Sequence, residues 1–281
     1  MISNAYSGKI RVGEETTLEK YLSDIGMYVV VDSFLSDGAR TKYWCHSGNS
    51  IYLYKEDKVH PGGEKTFESV SEYLAMILGD LIGVPVVQIV LGNHYILSKV
   101  MRNEEVHSFI EYSEEFSHSF HMSNLKTYTL GTLLSDKNKY KRNVIEMLLF
   151  DILIGNSDRH PGNFGYTSRG FYPLFDNGSS LCAYVKESTI ADLLRDKAKF
   201  KALCYSKSRP TIRGESKLTH YDLLKQLDSL FPEHVSKFCR KIQVIDLDFV
   251  LSLLPISEDR KYLLRAFLEE RVSWFEAAGA K

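Results

Sequence analysis

Two stretches hold the side chains with the clearest chemical pattern in this sequence. One is Gly155-Asn156-Ser157-Asp158-Arg159-His160-Pro161-Gly162-Asn163-Phe164-Gly165, and the other is Leu174-Phe175-Asp176-Asn177-Gly178-Ser179. Phosphoryl transfer from a nucleoside triphosphate needs few protein parts. A carboxylate on a rigid loop must orient an acceptor hydroxyl and take its proton late in the reaction. The metal on the triphosphate needs another carboxylate and a neutral oxygen ligand beside it. Kinases supply these as an Asp, an Asn five residues on, and a metal Asp beyond a short β-hairpin. Asp158, Asn163 and Asp176 keep that order and spacing. Arg159 and His160 stand between them, suited to positioning phosphate or bracing the loop. The expected catalytic residues are Asp158, His160 and Asn163. The expected metal ligands are Asn163 and Asp176, for Mg2+.

Taken singly, Asn, Ser, Asp, Pro and Gly are turn formers, and Asp-x-x-x-x-Asn alone is a weak signal. Asp-Arg-His-x-x-Asn followed by apolar-Asp-x-Gly is much more specific. The elements around it also suit a rigid site. Arg142 to Gly155 is apolar on nearly every face, which predicts a helix buried in the core and leading into the loop. Short strands are expected around Phe164–Thr167 and Phe171–Phe175, returning Asp176 beside Asn163.

Upstream, Gly26–Leu35 is rich in β-branched and aromatic residues and predicts a strand. Ser50–Lys55 alternates Ile51 and Leu53 against Tyr52, Tyr54 and Lys55, a half-buried strand ending in a lysine. From Phe67 to Leu81 apolar residues recur at helical spacing, with Thr66 as the expected cap and Gly83 with Pro85 as the stop. Strands over Val84–Leu91 and His94–Val100 follow, with Gly92-Asn93 as their turn. Residues 103–140 read as loop and short helix. Helices are expected over 190–204, 219–230, 233–242, 247–254 and 258–277. The fold class is therefore α+β and bilobal, kinase-like, with a small β-rich lobe over 1–101 and a larger, mainly helical lobe over 102–281.

A phosphate-binding lysine belongs on a strand of the first lobe, with a helix glutamate as its partner. Lys55 fits, and the next helix carries Glu68 and Glu72 one turn apart. Glu68 is the expected partner. Gly38-Ala39-Arg40-Thr41-Lys42 falls where a phosphate-covering loop would lie, although it is neither G-x-G-x-x-G nor a P-loop. Its backbone N–H groups could cradle phosphate, and Lys42 rivals Lys55 as the phosphate lysine.

Composition narrows the remaining classes. The 281 residues carry 35 basic and 36 acidic side chains, for a net charge of −1, which gives no electrostatic case for nucleic acid or anionic membrane as partner. Hydrophobic residues at 44% support a real core. The longest apolar run, Met147 to Ile154, is broken by Asp151 and is too short to span a bilayer. The N-terminal residues lack the apolar segment of a secretory signal. Cys45, Cys182, Cys204 and Cys239 are widely spaced, with no C-x-x-C, and read as reduced buried thiols. The eight histidines other than His160 form no metal-ligand pattern, and Trp44 and Trp274 read as packing residues.

At GARTKYW (38–44), IYLYK (51–55), LAMILGDLIGVP (74–85), LIGNSDRHPGNFG (153–165) and PLFDNGSSL (173–181) the chain resembles the HipA-like serine/threonine kinases, nearest to their short branch. The last two segments are the specific ones, and together the features cover about residues 36–181. The resemblance implies ATP as donor, Asp158 as base, Asn163 and Asp176 on magnesium, Lys55 on ATP, and the loop Ser36–Lys42 over the phosphates. It implies a protein substrate with a Ser or Thr hydroxyl, and an antitoxin or activator as partner. It also implies action as a toxin or effector in the cytoplasm or, after secretion, in a host cytosol. Autophosphorylation on Ser36, Thr41 or Ser47 would follow the family pattern. The triplet Asp176-Asn177-Gly178 departs from Asp-Phe-Gly, so gating by a flipping Phe is not expected. The chain also lacks the length for the extra N-terminal subdomain of full-length toxins. Asp-Arg-His-x-x-Asn also occurs in phosphoinositide kinases, which makes a lipid kinase one rival. A nucleotide-binding pseudokinase is another, and phosphotransfer to a small molecule a third.

Overall fold

A computed structural model describes residues 28–30, 42–47, 50–100, 107–108, 129–167, 169–212 and 217–279. The first lobe is an antiparallel sheet of β1 (Tyr28–Val30), β2 (Lys42–Ser47), β3 (Ser50–Glu56), β4 (Ile89–Gly92) and β5 (Tyr95–Val100), ordered β1-β2-β3-β5-β4. Strand β2 is an addition to the expected elements. Residues 38–41 of the expected phosphate-covering loop (Gly38, Ala39, Arg40, Thr41) and Ser36 lie outside the described residues. Lys42 opens β2 and stands opposite Lys55 in the ladder.

The simple alternation expected for β3 does not hold. Tyr54 is buried with Cys45 and Leu97 and stacks on Tyr95, while Lys55 is buried as well. Both faces of the strand are covered, one by this cluster and the other by helix α1 (Glu68–Ile82). Helix α1 buries Val70, Leu74 and Leu78. It begins after Phe67 with no side-chain cap of its own. Thr66 does not cap it, because its hydroxyl donates to Glu68 Oε2 at 3.0 Å instead. Gly83 ends it in the left-handed region at φ 69°, where glycine carries no Cβ penalty.

Residues 84–88 were expected to be part of a strand with 89–91. Only the latter half joins the sheet. Pro85 and Val87 instead pair with Leu174, through Leu174 N–H to Pro85 O at 2.8 Å and Val87 N–H to Leu174 O at 3.0 Å. The segment leaving helix α1 thus anchors the chain two residues before Asp176. The β4–β5 turn is Asn93-His94, one residue later than expected, with His94 at φ 63°.

The second lobe contains a small sheet, β6 (His107–Ser108), β7 (Gly165–Thr167) and β8 (Gly170–Phe171), and a helical body. Helix α2 spans Leu130–Leu133 and α3 spans Lys141–Ile154. Every residue of α3 from Met147 to Ile154 is buried, Asp151 included. The expected helix over 190–204 is broken. Asp196 leaves the helical region and caps a new start at Ala198 N and Lys199 N, giving α4 (Ile190–Arg195), α5 (Lys197–Lys201) and a π-helical turn, Ala202–Ser206. Then come α6 (His220–Leu230), α7 (Pro232–Ile242), α8 (Leu247–Ser252) and α9 (Glu258–Gly279). Helix α9 packs on α3, α6, α7 and α8, so the C-terminal third closes the core around the helix that precedes the motif. Trp274 lies in this core, as expected. Among the described residues no helix is long and apolar enough to cross a membrane.

Candidate active site

Helix α3 delivers the motif loop. Gly155 caps it in the left-handed region at φ 67°, and a Cβ there would lie 2.7 Å from Phe267, so the position demands glycine on two counts. The chain then turns sharply. Buried Asn156 donates to Asp151 Oδ1 at 3.2 Å and accepts from Asp158 N–H at 3.0 Å. Asn163 Nδ2 donates to Asp158 O at 2.8 Å, so the amide group is used as a donor there and its oxygen remains the acceptor end. The side chain of Asp158 is exposed and bonds to none of the described residues. A fixed backbone therefore carries an open carboxylate.

Arg159 is 2% exposed and organises the loop. It forks onto the Asp151 carboxylate, Nε to Oδ2 at 3.0 Å and Nη2 to Oδ1 at 2.9 Å. Its Nη1 reaches Asn163 O at 2.8 Å and Phe175 O at 2.6 Å, and its Nη2 also donates to Asn177 Oδ1. One guanidinium thus ties the loop of Asp158 and Asn163 to the segment that carries Asp176, which lies beyond β8 because the expected strand over Phe171–Phe175 ends at Phe171. Of the two expected roles for Arg159, the geometry supports bracing. Burial pushes the Asp151 carboxyl above the usual carboxylate range, against the pull of Arg159.

Asp176 adopts φ 57°, a left-handed conformation that aspartate, like asparagine, enters more readily than most non-glycine residues. Its Oδ1 accepts from Lys55 Nζ at 3.0 Å. The same ammonium lies 3.4 Å from Glu72 Oε1. Glu72, 2% exposed, uses its other oxygen to accept Asn177 N–H at 2.8 Å. Gly178 passes so close to helix α1 that a Cβ there would meet Glu68 Cβ at 3.2 Å.

Two expected site residues take other places. Glu68 is not the partner of Lys55. It accepts from Tyr184 OH at 2.6 Å and Lys58 N–H at 3.2 Å, and pairs with Lys58 Nζ at 3.5 Å. The first helical turn faces the end of β3 and the segment after Asp176, and one turn further along Glu72 meets Lys55. His160 caps the short 3-10 turn Pro161–Asn163, accepting Gly162 N–H at Nδ1. That acceptor role places its ring on the loop backbone, a bracing contact.

No protein-family profile matches the chain. The serine/threonine-protein kinase CtkA of Helicobacter pylori is 27% identical over 140 residues, 46% of this chain and 42% of that protein. The match thus spans less than half of the curated relative's length. The crystal structure of the Helicobacter pylori proinflammatory kinase CtkA aligns with a TM-score of 0.73 and 20% identity, over 90% of this chain and 94% of that one. HipA of Shewanella oneidensis MR-1, solved with HipB and operator DNA, aligns with a TM-score of 0.53 and 16% identity, over 96% and 74%. The chain has the fold of CtkA and HipA.

Within this HipA-like fold, several side chains at the site gave no signal in the sequence. Asp151 reads there as a blemish in an apolar helix, yet it is the buried counter-ion of Arg159. His220 reads as an ordinary histidine. It is fully buried, with Nε2 on Asn156 O at 2.9 Å and Nδ1 on Ser208 Oγ at 2.7 Å. Burial and the nearby Arg271 guanidinium hold its pKa well below the usual value, so it is neutral and its Nε2–H donates to the loop. The one available hint was the lone charge at 151, eight residues before an arginine, in an otherwise apolar helix.

Proposed function

We propose that this chain is an ATP-dependent protein serine/threonine kinase of the HipA-like type. The observation that carries the reading is the position of Lys55, whose ammonium sits between Glu72 on helix α1 and Asp176. A buried cation held by a helix carboxylate, beside an Asp-Asn pair on two stitched loops, is the arrangement phosphoryl transfer requires. The 27% identity over 140 residues to the serine/threonine-protein kinase CtkA supports it, and the fold shared with CtkA and HipA agrees with it.

In this reading Lys55 binds the phosphates of ATP and Glu72 holds its ammonium in place. Asn163 and Asp176 would hold magnesium. One amide oxygen and one carboxylate suit that ion, which takes few protein ligands alongside phosphate oxygens. When bound it neutralises charge on the phosphates. Asp158 accepts a hydrogen bond from the acceptor hydroxyl and takes its proton as the oxygen attacks phosphorus. Rigid backbone around Asp158 means that little reorganisation is needed at the moment of reaction. A Ser or Thr protein substrate, a controlling partner protein of the antitoxin or activator kind, and action in the cytoplasm or a host cytosol belong to the same proposal.

The test is transfer of labelled γ-phosphate to the chain itself and to a lysate. Asp158→Ala lowers the rate by about 10²–10⁴-fold, with an unchanged melting temperature because the side chain is exposed. Equal transfer by wild type and variant overturns the proposal. ATP binding without transfer would point to a binding module, and transfer to phosphoinositide vesicles alone to a lipid kinase.

A further inference from the structure

Helix α1 lacks a cap of its own, yet the N–H of Ser69 in its first turn is satisfied. Asp57, just past the end of β3, accepts from Ser69 N at 2.6 Å and from Ser69 Oγ at 2.7 Å. Its side chain is almost fully buried. The return contact runs the other way, from Lys58 N–H to Glu68 Oε2 at 3.2 Å. The strand end and the helix start therefore hold each other as a capping box would, but between residues ten and twelve positions apart in the chain. The negative carboxylate also faces the positive end of a 15-residue helix. The Asp57 backbone N–H donates to His94 O at 2.9 Å, and His94 Nδ1 lies 3.2 Å from Asp57 Oδ2, so the β4–β5 turn closes the third side.

Alternation along an extended chain places Lys55 and Asp57 on one side. Ser69 and Glu72, three apart, share one helix face. Lys55–Glu72 and Asp57–Ser69 are then two rungs between the same strand and the same helix. A single rung leaves the helix able to rotate or slide about it, and the second removes that freedom. Glu72 also receives Asn177 N–H from the metal loop, so the setting of the helix reaches that loop.

We propose that Asp57 is a positioning residue. As a cap supplied from the strand that carries Lys55, it sets the register of helix α1 and so places Glu72 against both Lys55 and the backbone of Asn177. Its catalytic consequence rests on the kinase reading above. Its structural consequence does not.

The test is amide hydrogen exchange, measured by NMR on the full chain without nucleotide, for wild type, Asp57→Asn and Ser69→Ala. In Asp57→Asn, exchange at Asn177 speeds up about tenfold while amides in helix α9 keep their protection. If only the first turn of α1 loosens and Asn177 exchanges as in wild type, Asp57 is a local cap and the proposal fails. Ser69→Ala keeps the backbone donor and shows the same pattern at smaller amplitude. It decides the matter if Asp57→Asn does not fold, and an unchanged Asn177 there overturns the proposal. In phosphotransfer, Asp57→Asn lowers kcat about tenfold with KM for ATP within about twofold, and causes no further loss in a Glu72→Gln background. Additive losses in the double variant overturn the proposal. A wild type that binds ATP but transfers nothing overturns the kinase reading, and the exchange at Asn177 then decides Asp57 by itself.

Discussion

Two buried arginines serve the motif loop, and they work in different ways. Arg159 belongs to the motif and is matched to a carboxylate, Asp151. Arg271 lies in helix α9, fully buried, and among the described residues its hydrogen-bond partners are neutral acceptors: Ile152 O at 2.9 Å, Cys204 O at 3.2 Å and Ser208 Oγ. It also lies over the rings of Phe267 and Trp274. Burial lowers its pKa to about 10, so it stays charged at neutral pH. Through Ser208 and His220 its influence ends on Asn156 O. Arg159 joins the loop of Asp158 and Asn163 to the segment of Asp176. Arg271 joins that loop to the C-terminal third. One arginine is placed to set geometry, and the other to set stability.

The sharpest way to break that contrast is to remove each charge in turn. Arg159→Met strands a buried carboxylate and releases the link between Asn163 and Phe175. Stability should fall by about 3–5 kcal/mol, and phosphotransfer by the remaining folded protein should fall at least about 100-fold. Urea unfolding with single-turnover assays would measure both. Arg159→Lys should recover little, because an ammonium cannot reproduce the planar fork that reaches Asp151 and two carbonyls together.

Arg271→Met strands no buried carboxylate, since nearby Glu270 keeps its hydrogen bonds from Tyr205 and Trp274. Its cost should be about 1.5–3 kcal/mol from the lost charged hydrogen bonds, with phosphotransfer per folded molecule within about threefold of wild type. If Arg271→Met cuts kcat as deeply as Arg159→Met at matched stability, the division of labour is wrong.

The smallest effect comes from His220 and depends on pH. Its pKa is lowered in the fold, so the unfolded chain binds the proton more readily. Its contribution is fully present above the ordinary histidine pKa of about 6.5 and is lost as pH falls below that value, at up to about 1.4 kcal/mol per pH unit. Melting temperature measured from pH 7.5 to 5.5 should therefore drop more steeply for wild type than for His220→Gln, which keeps a donor but does not titrate. Parallel curves would remove His220 from the link between Arg271 and the loop.

The same contrast shows what was legible in the residues. Asp158, Asn163 and Asp176 stand out because their spacing along one short stretch is a local property, and in the fold Arg159 bonds both Asn163 O and Phe175 O. Helices such as Pro232–Ile242 and Glu258–Gly279 are legible because apolar periodicity is a local property. The break at Asp196 was not, since a residue that caps one helix looks, in a helical pattern, like any exposed charge. Glu68 against Glu72 could not be resolved either. Both lie on one helix face, and the choice between them depends on where the strand end docks. The segment 84–88 failed as a sheet strand for a similar reason. Its backbone partner, Leu174, lies far along the chain, and β-pairing has no local signature beyond apolar, branched residues.

The order of chemistry-bearing residues, the α+β class and most helix positions were set by local pattern, because turn formers, periodicity and motif spacing act over a few residues. Which glutamate meets Lys55, which carboxylate neutralises Arg159 and how a histidine sixty-four residues away supports Asn156 were decided only by packing. A buried charge or donor must find its partner wherever the folded chain presents one, and that place is a property of the whole core rather than of any neighbouring residue.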